Sequence, residues 1–228
     1  MRTNVVAIDG PSASGKSTVA RRVASALGWH YVDSGALYRG VTWKALRKGT
    51  DMSNPDDLAR LLLNSEVRLY VDGESVKYTL DDVDPGMELR QQAVNDHVSL
   101  AAAAPGVRAR IVEILRSMTR FGNLVMEGRD IGTVVFPETP FKFYLDASPE
   151  ERAKRRHHEM KDLQPAAAAE VGEVEHSLRR RDRLDSARST APLKIADGAC
   201  TIDSTSLGID EVVSAILARI RASVGDKL

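Results

Sequence analysis

The sequence predicts an α/β fold built on a parallel β-sheet flanked by helices. Three observations carry the prediction. Short apolar runs rich in β-branched residues alternate with longer helical patterns, which is the layout a parallel sheet requires. A glycine-rich stretch at residues 10–18 joins the first apolar run directly to a helix. Strict period-two alternation is confined to residues 66–80, so antiparallel pairing is an insertion in the layout rather than its plan.

Taken in order, residues 4–9 (NVVAID) are too short for a helix and fit a buried parallel strand. After the glycine stretch, Val19, Ala20, Val23, Ala24 and Leu27 recur at helical spacing, and Gly28 is placed to stop the helix. A second strand fits residues 30–33. Asn54-Pro55-Asp56-Asp57 offers an N-cap, a proline at the first helical position and acids in the first turn. Val67, Leu69 and Val71, then Val76, Tyr78 and Leu80, alternate on either side of Asp72-Gly73 and read as a β-hairpin. Helical spacing resumes at Val107, Ile111, Ile114 and Leu115, and strands fit residues 123–126 and 141–145. Ser148-Pro149-Glu150-Glu151 is a capping box opening an Arg-rich helix. Residues 162–176, poor in apolar side chains, read as a weak helix or a mobile flap. A strand at 200–203 and an amphipathic helix through Ile209, Val212, Val213, Ile216, Leu217 and Ile220 complete the chain.

At 228 residues, one domain spanning 1–228 is expected. The 32 Lys+Arg balance 32 Asp+Glu, which argues against coating nucleic acid or an anionic membrane by bulk attraction. Cys200 is the one cysteine, so neither an internal disulfide nor a thiolate zinc site is available. The five His show no metal-ligand spacing. No apolar run approaches the ~20 residues of a membrane span, and no secretory leader is expected ahead of Asp9. A cytoplasmic location follows as an expectation. The basic residues are 23 Arg against 9 Lys; phosphate gripping and Arg-rich codon usage both produce that bias.

Gly10-Pro11-Ser12-Ala13-Ser14-Gly15-Lys16-Ser17-Thr18 contains G-x-x-x-x-G-K-S, the P-loop pattern. Chance would place it in roughly one chain of this length in a hundred, and here it also falls between a strand and a helix. Backbone N–H groups of such a loop wrap nucleotide phosphates, with glycines where the backbone bends against the ligand. Lys16 is expected to reach the β/γ oxygens of ATP, and the Ser17 hydroxyl to ligate Mg²⁺. An Asn-Lys-x-Asp guanine reader is absent, and a Walker-B string fits only loosely, at FYLD ending in Asp146. A kinase of a small acceptor leads. A hydroxyl acceptor would need a carboxylate base. A phosphate acceptor would instead need several cations to offset repulsion between two anions. Arg39, Arg108, Arg129, Arg155, Arg156, Arg181 and Arg188 are candidates for that work, and each also reads as an ordinary surface arginine.

The strings IDGPSASGKST (8–18), DSGALYR (33–39), EGRDIGTVVFP (127–137), FYLDASPEERAKRR (143–156), RDRLDSARSTAPL (181–193) and IDSTSLGIDEVV (202–213) go further. With them the chain resembles the bacterial cytidylate kinase family, P-loop nucleoside-monophosphate kinases acting on CMP and dCMP. The resemblance implies a P-loop kinase core, an inserted monophosphate-binding segment at about 38–105 that contains the hairpin, and a short lid at about 152–180. It implies transfer of the γ-phosphoryl group of ATP to CMP or dCMP with Mg²⁺, in pyrimidine nucleotide metabolism, by a monomer. Carried over by position, Ser34, Tyr38 and Arg39 would line the acceptor pocket, and Ser99, Arg108 and Asp130 would read cytosine. Arg181 and Asp185 would hold the sugar, Arg129 and Arg188 would reach the acceptor phosphate, and Arg155 and Arg156 would close over ATP. Positions 181, 185 and 188 are spaced as one helix face. UMP or a hydroxylated metabolite as acceptor, and a non-catalytic ATP sensor, are the alternatives.

Overall fold

Strand β1 (Val5–Asp9) divides the molecule into two cores. Its side chains alternate, with Val5 and Ala7 on one face and Val6 and Ile8 on the other, and all four are buried. A strand covered on both faces reads as continuous apolar sequence, which is why VVAI carries no polar break. In the computed structural model, residues 3–163 and 170–224 are described.

On the Val6/Ile8 face lie α1 (Lys16–Leu27) and α8 (Ile209–Val224), through Val19, Val23, Val212, Ile216 and Ile220. On the Val5/Ala7 face lie α2 (Ser34–Lys48), α3 (Pro55–Leu63), α4 (Gln92–Ala103) and α5 (Pro105–Ser117). Two of the expected caps form in these helices. Asn54 accepts from the N–H groups of Asp56 and Asp57, and Gly28 takes the left-handed conformation that ends α1. The remaining strands are β2 (His30–Asp33), β3 (Val67–Asp72), β4 (Ser75–Leu80), β5 (Leu124–Gly128), β6 (Phe141–Asp146) and β7 (Cys200–Asp203). The seven-stranded sheet has the order β3-β4-β2-β5-β1-β6-β7. All pairings are parallel except the β3/β4 hairpin.

The hairpin forms where the alternation placed it, and it joins the main sheet rather than standing apart. Tyr31 pairs with Ser75, and the Tyr31 N–H donates to the Glu74 carbonyl at 2.7 Å. The Tyr78 hydroxyl donates to the Ala36 carbonyl at 2.6 Å, fastening the hairpin to α2. Helices α2 and α4 were not expected from periodicity. Helix α4 is rich in alanine, which gives a weak apolar stripe; its burial comes from tertiary contacts with α2.

Helices α6 (Pro149–Leu163) and α7 (Val171–Ala187) pack against each other beside the glycine loop, through Ala153, Val174 and Leu178 with Ala13 and Met160. Ser148 Oγ accepts from the Glu151 N–H at 3.2 Å, one half of the expected capping box; the Ser148 N–H donates to Thr205 Oγ1 at 2.9 Å instead of to Glu151. The stretch read as a weak helix or flap therefore supplies the end of α6 and the start of α7, and its residues 164–169 lie outside the described residues. No helix among the described residues is long and apolar enough to cross a membrane.

The sheet order puts β5 and β6 on opposite sides of β1. The loop leaving β1 therefore opens into a crevice at the carboxyl ends of the strands, where ligands bind in such sheets. Gly10 begins that loop at φ 149°, and a Cβ there would sit 2.0 Å from the Leu145 carbonyl oxygen. Gly10→Ala should destabilise the chain by about 3 kcal/mol, read as a lowered urea midpoint at unchanged m-value. A midpoint within error of the parent would contradict this packing of β1 against β6.

Candidate active site

The loop from Gly10 to Gly15 delivers the first N–H groups of α1 to the crevice without a side chain capping them. A helix start left open in this way is an anion site. Lys16 is 4% exposed, and its ammonium donates to the Pro11 carbonyl at 2.5 Å and to Ser14 Oγ at 3.3 Å, so it lies folded on its own loop. Burial, and then the nearby charge of Arg129, bring its pKa down to about 7; Glu127, Asp9 and Asp182 oppose the fall.

Three strand ends supply carboxylates. Asp33, at the end of β2, caps α2 by accepting from the Ala36 N–H at 3.0 Å, and pairs with Arg39 Nη2 at 2.6 Å. Burial works against the Arg39 charge, but Asp33 and then Glu127 outweigh it and raise its pKa. Glu127, beside Asp33 in the β2/β5 register, accepts from the Tyr31 hydroxyl at 2.6 Å and lines the crevice. Asp9, 3% exposed, accepts from the Ile131 and Gly132 N–H groups, both at 2.8 Å. Burial pushes the Asp9 carboxyl up to about 6, against the pull of those two N–H groups.

These positions correct the loose Walker-B assignment. Asp146 ends β6, and its Oδ1 accepts from the Ala147 N–H rather than lining the crevice. The acid that ends an apolar strand beside β1 and faces Lys16 is Glu127, in LVMEG. Both β5 and β6 neighbour β1, and what the sequence did not show was which of the two acids turns toward Lys16. For Mg²⁺, the Ser17 hydroxyl and the carboxylates of Asp33 and Glu127 border the same crevice. An all-oxygen set of this kind suits a hard cation that also keeps water and phosphate ligands. Among the described residues no group of three or more His, Cys, Asp or Glu side chains is gathered to hold a metal by itself.

Opposite the loop stands a wall of guanidinium groups, most of them steadied by an acid or a carbonyl. Arg129 donates through Nε to Asp185 Oδ2 at 3.0 Å and through Nη2 to Ser12 Oγ at 2.6 Å, tying the glycine loop to α7. Burial pushes the Asp185 carboxyl up, but Arg129, Arg188 and Arg181 outweigh it and hold it below its usual range. Arg188 lies just past the end of α7 rather than on its face, a correction to the helical-face spacing, yet its Nη2 is 3.0 Å from Asp185 Oδ1. That contact is an ion pair without hydrogen-bond alignment, since Nη2 has no hydrogen-bond partner. Burial, and then repulsion from Arg129, lower Arg181 to about 10, and its buried Nε is also unpartnered.

Arg108 and Asp130 form a direct ion pair with both side chains at most 5% exposed. Arg108 Nη1 donates to the Ala102 carbonyl at 3.0 Å, at the end of α4, and its guanidinium lies 5.4 Å from the Tyr38 ring centre. Ser34, Tyr38 and Ser99 border the same cavity. Arg155 and Arg156 differ from each other. Arg155 donates to Ser204 Oγ at 3.1 Å and to the Ser204 carbonyl at 2.6 Å, and sits beside Gly15. Arg156 pairs with Glu159 at 2.9 Å, and Glu159 also pairs with Arg90 at 3.0 Å across the cleft.

Sequence reasoning missed a further arginine. Arg152, 5% exposed, donates to the Ser12 carbonyl at 3.1 Å and to Asp182 Oδ2 at 2.6 Å. Its helical position beside Arg155 and Arg156 gave no sign that it alone of the three points into the protein. The whole arrangement encloses a cavity of about 660 Å³ that runs from the glycine loop to the Arg108–Asp130 pair. Its lining includes ten Lys or Arg and five Asp or Glu side chains, in a chain with formal net charge +0. Such a cavity suits polyanions placed end to end.

An α/β chain with this cradle and this cationic cavity belongs to the P-loop kinases. Residues 6–222 match the family model described as Cytidylate kinase, and the chain belongs to that family. A cytidylate kinase of Pelotomaculum thermopropionicum is 44% identical over 218 residues, covering 95% of this chain and 96% of the relative. One of Geobacillus kaustophilus is 43% identical over 222 residues, covering 96% and 97%. Among solved structures, an uncharacterized protein from Eubacterium ventriosum superposes with a TM-score of 0.51 at 13% identity, covering 97% of this chain and 99% of that one. That likeness is one of fold.

The lowered pKa of Lys16 has a measurable consequence. At pH 8 the empty site holds mostly neutral lysine, and bound phosphates restore its charge, so Mg-ATP binding should take up about one proton. At pH 6 the lysine is already charged and uptake should vanish. Calorimetry in buffers of different ionisation enthalpy measures this, and Lys16→Met should abolish the pH 8 uptake. Equal uptake by parent and variant would place the titrating group elsewhere.

Proposed function

We propose that this protein transfers the γ-phosphoryl group of ATP to CMP and dCMP, giving ADP with CDP or dCDP. The observation that carries the reading is the twofold excess of cations in one cavity between the glycine loop and a buried Arg–Asp pair. ATP binds with its phosphates on residues 10–18, and the acceptor lies toward Arg108 and Asp130. An oxygen of the acceptor phosphate attacks the γ-phosphorus in line as the bond to the β-phosphate oxygen breaks, and ADP leaves. The acceptor is already anionic, so no dedicated base is required. Lys16, Arg129 and Arg188 offset the charge of the crowded phosphates, and Arg39 holds the acceptor phosphate. Mg²⁺, held with Ser17, supplies further charge neutralisation when bound.

Cytosine offers an amino donor at C4 and acceptors at N3 and O2. Asp130 accepts from the amino group, Arg108 donates to the ring acceptors, and Ser99 completes the contact. Uracil presents a carbonyl at C4 and would meet Asp130 acceptor to acceptor. Arg181 and Asp185 hold the sugar, beside the unpartnered Arg181 Nε. Ser34 and Tyr38 wall the pocket. Arg155, docked on Ser204 beside Gly15, and Arg156 close over ATP from α6, excluding water that would otherwise accept the phosphoryl group. Residues of about 38–105 form the acceptor-binding insertion, and about 152–180 the lid, of which 164–169 fall outside the described residues. We place the enzyme in the cytoplasm, in pyrimidine nucleotide metabolism, acting as a monomer.

ADP release measured over CMP, dCMP, UMP, AMP and shikimate tests the substrate assignment. CMP and dCMP should turn over fastest; UMP turning over faster than CMP would reject it. Binding of ATP with no turnover of any acceptor would favour the sensor alternative. Asp130→Asn should lower kcat/KM for CMP by about 10- to 100-fold and narrow the CMP-over-UMP ratio, because the amide can donate to uracil O4. An unchanged ratio would move base reading to another residue.

A further inference from the structure

The carboxylate of Asp9 is committed to neither the glycine loop nor an arginine. It spans the first two N–H groups of a five-residue π-helical turn, Ile131–Val135, at 2.8 Å each, and the turn has no side-chain cap of its own. At the far end, Arg116 of α5 donates through Nε to the Val135 carbonyl at 2.9 Å and through Nη2 to the Val134 carbonyl at 2.8 Å. A π turn is a poor structure by itself, because its bonds are few and its geometry is strained. Here side chains from two other elements satisfy both ends, and Ile131 and Val135 are buried beneath. Gly132 admits the close approach: a Cβ there would lie 3.4 Å from Asp9 Oδ2 and 3.3 Å from Lys142 Cγ.

The two residues ahead of this turn are Arg129 and Asp130, whose side chains diverge. Arg129 reaches the loop at Ser12, and Asp130 reaches Arg108. The Asp130 backbone, at φ −147° and ψ 24°, lies outside β5, and its carbonyl accepts from the Val134 and Val135 N–H groups at 2.9 and 3.1 Å, so its place follows that of the turn. We propose that Asp9 and Arg116 are positioning residues that hold the 131–135 turn at its two ends, and thereby set Asp130 against the acceptor base. Asp9 thus serves both sides of the reaction: it is the root of the ATP loop, and it registers the acceptor-reading turn against that root. This inference rests on the reading of Asp130 as the cytosine contact.

Steady-state ADP release with Asp9→Asn, Arg116→Ala, Arg116→Lys and Asp130→Asn tests it. An amide at position 9 can accept from one of the two N–H groups and opposes the other. Asp9→Asn should raise KM for CMP by about tenfold and narrow the CMP-over-UMP ratio by a similar factor, with KM for ATP moving less than about threefold. Arg116→Ala should act in the same direction from the exposed end of the turn, and Arg116→Lys, which retains a donor, should recover much of the ratio. A raised KM for ATP with an unchanged CMP-over-UMP ratio in Asp9→Asn would overturn the proposal, leaving Asp9 as a brace for the glycine loop. Should Asp9→Asn fail to fold, the Arg116 pair decides: an unchanged ratio in Arg116→Ala overturns it. Loss of the ratio in Asp130→Asn alone sinks the positioning role and keeps the base-reading role, whereas a ratio unmoved in Asp130→Asn sinks both.

Discussion

Like charges packed into a small volume repel whether or not a ligand is present, and that repulsion governs how this cavity is built. Ten cationic side chains line it. In the absence of nucleotides their charge has to be compensated from within, and seven of the nine arginines lining the cavity pair with a carboxylate, among them Arg39 with Asp33, Arg108 with Asp130, and Arg129 and Arg188 with Asp185. Arg181, whose Nε has no hydrogen-bond partner, is the one whose pKa is driven to about 10. Lys16, lacking an acid of its own, folds onto the Pro11 carbonyl and Ser14 Oγ, and its pKa falls to about 7. Five acids cannot neutralise ten cations, so the residual field is what incoming phosphates meet. Substrate charge therefore completes the cavity rather than competing with the protein's own pairs.

The same pairs hold the loop in shape. Ser12 accepts from Arg129 through its hydroxyl and from Arg152 through its carbonyl, and Ser14 accepts from Ser204 through its carbonyl. Elements as far apart in sequence as the end of β5, helix α6 and the segment after β7 thus converge on a few loop residues. A loop held from several directions loses little further freedom when it binds phosphate, and that lowers the cost of ordering at the moment of binding.

This division explains what the sequence revealed. The glycine loop, its flanking strand and helix, the Asn54 and Ser148 caps and the hairpin rest on local chemistry, and all were legible. The arginine-lined side of the cavity is different. Arg108 and Asp130 are separated by 22 residues, Arg129 and Asp185 by 56, and Asp9 meets Gly132 over 123. Which carboxylate partners which arginine is decided by sheet order, and spacing along the chain carries no trace of it. Glu127 was overlooked for that reason: β5 and β6 both flank β1, and only the folded chain shows that Glu127, not Asp146, lines the crevice. Arg152 was overlooked because three arginines in one helix look alike until packing shows which is inside. Helix α4 was missed because alanines bury without marking a face, and Arg188 was put on a helix that ends one residue before it.

Composition misled in a more instructive way. A balance of 32 bases and 32 acids reads as an electrically bland protein. With ten cations and five acids assigned to the cavity, the rest of the chain must hold five more acids than bases. The molecule is therefore polarised, a positive cleft in a negative exterior. A uniformly basic protein of the same cleft charge would bind phosphates over its whole surface, and nucleic acid with them. Spending the acids outside confines anion attraction to one opening, and low-dielectric walls focus it there. Neutrality in such a chain is evidence of where the charges are sorted, not of their absence.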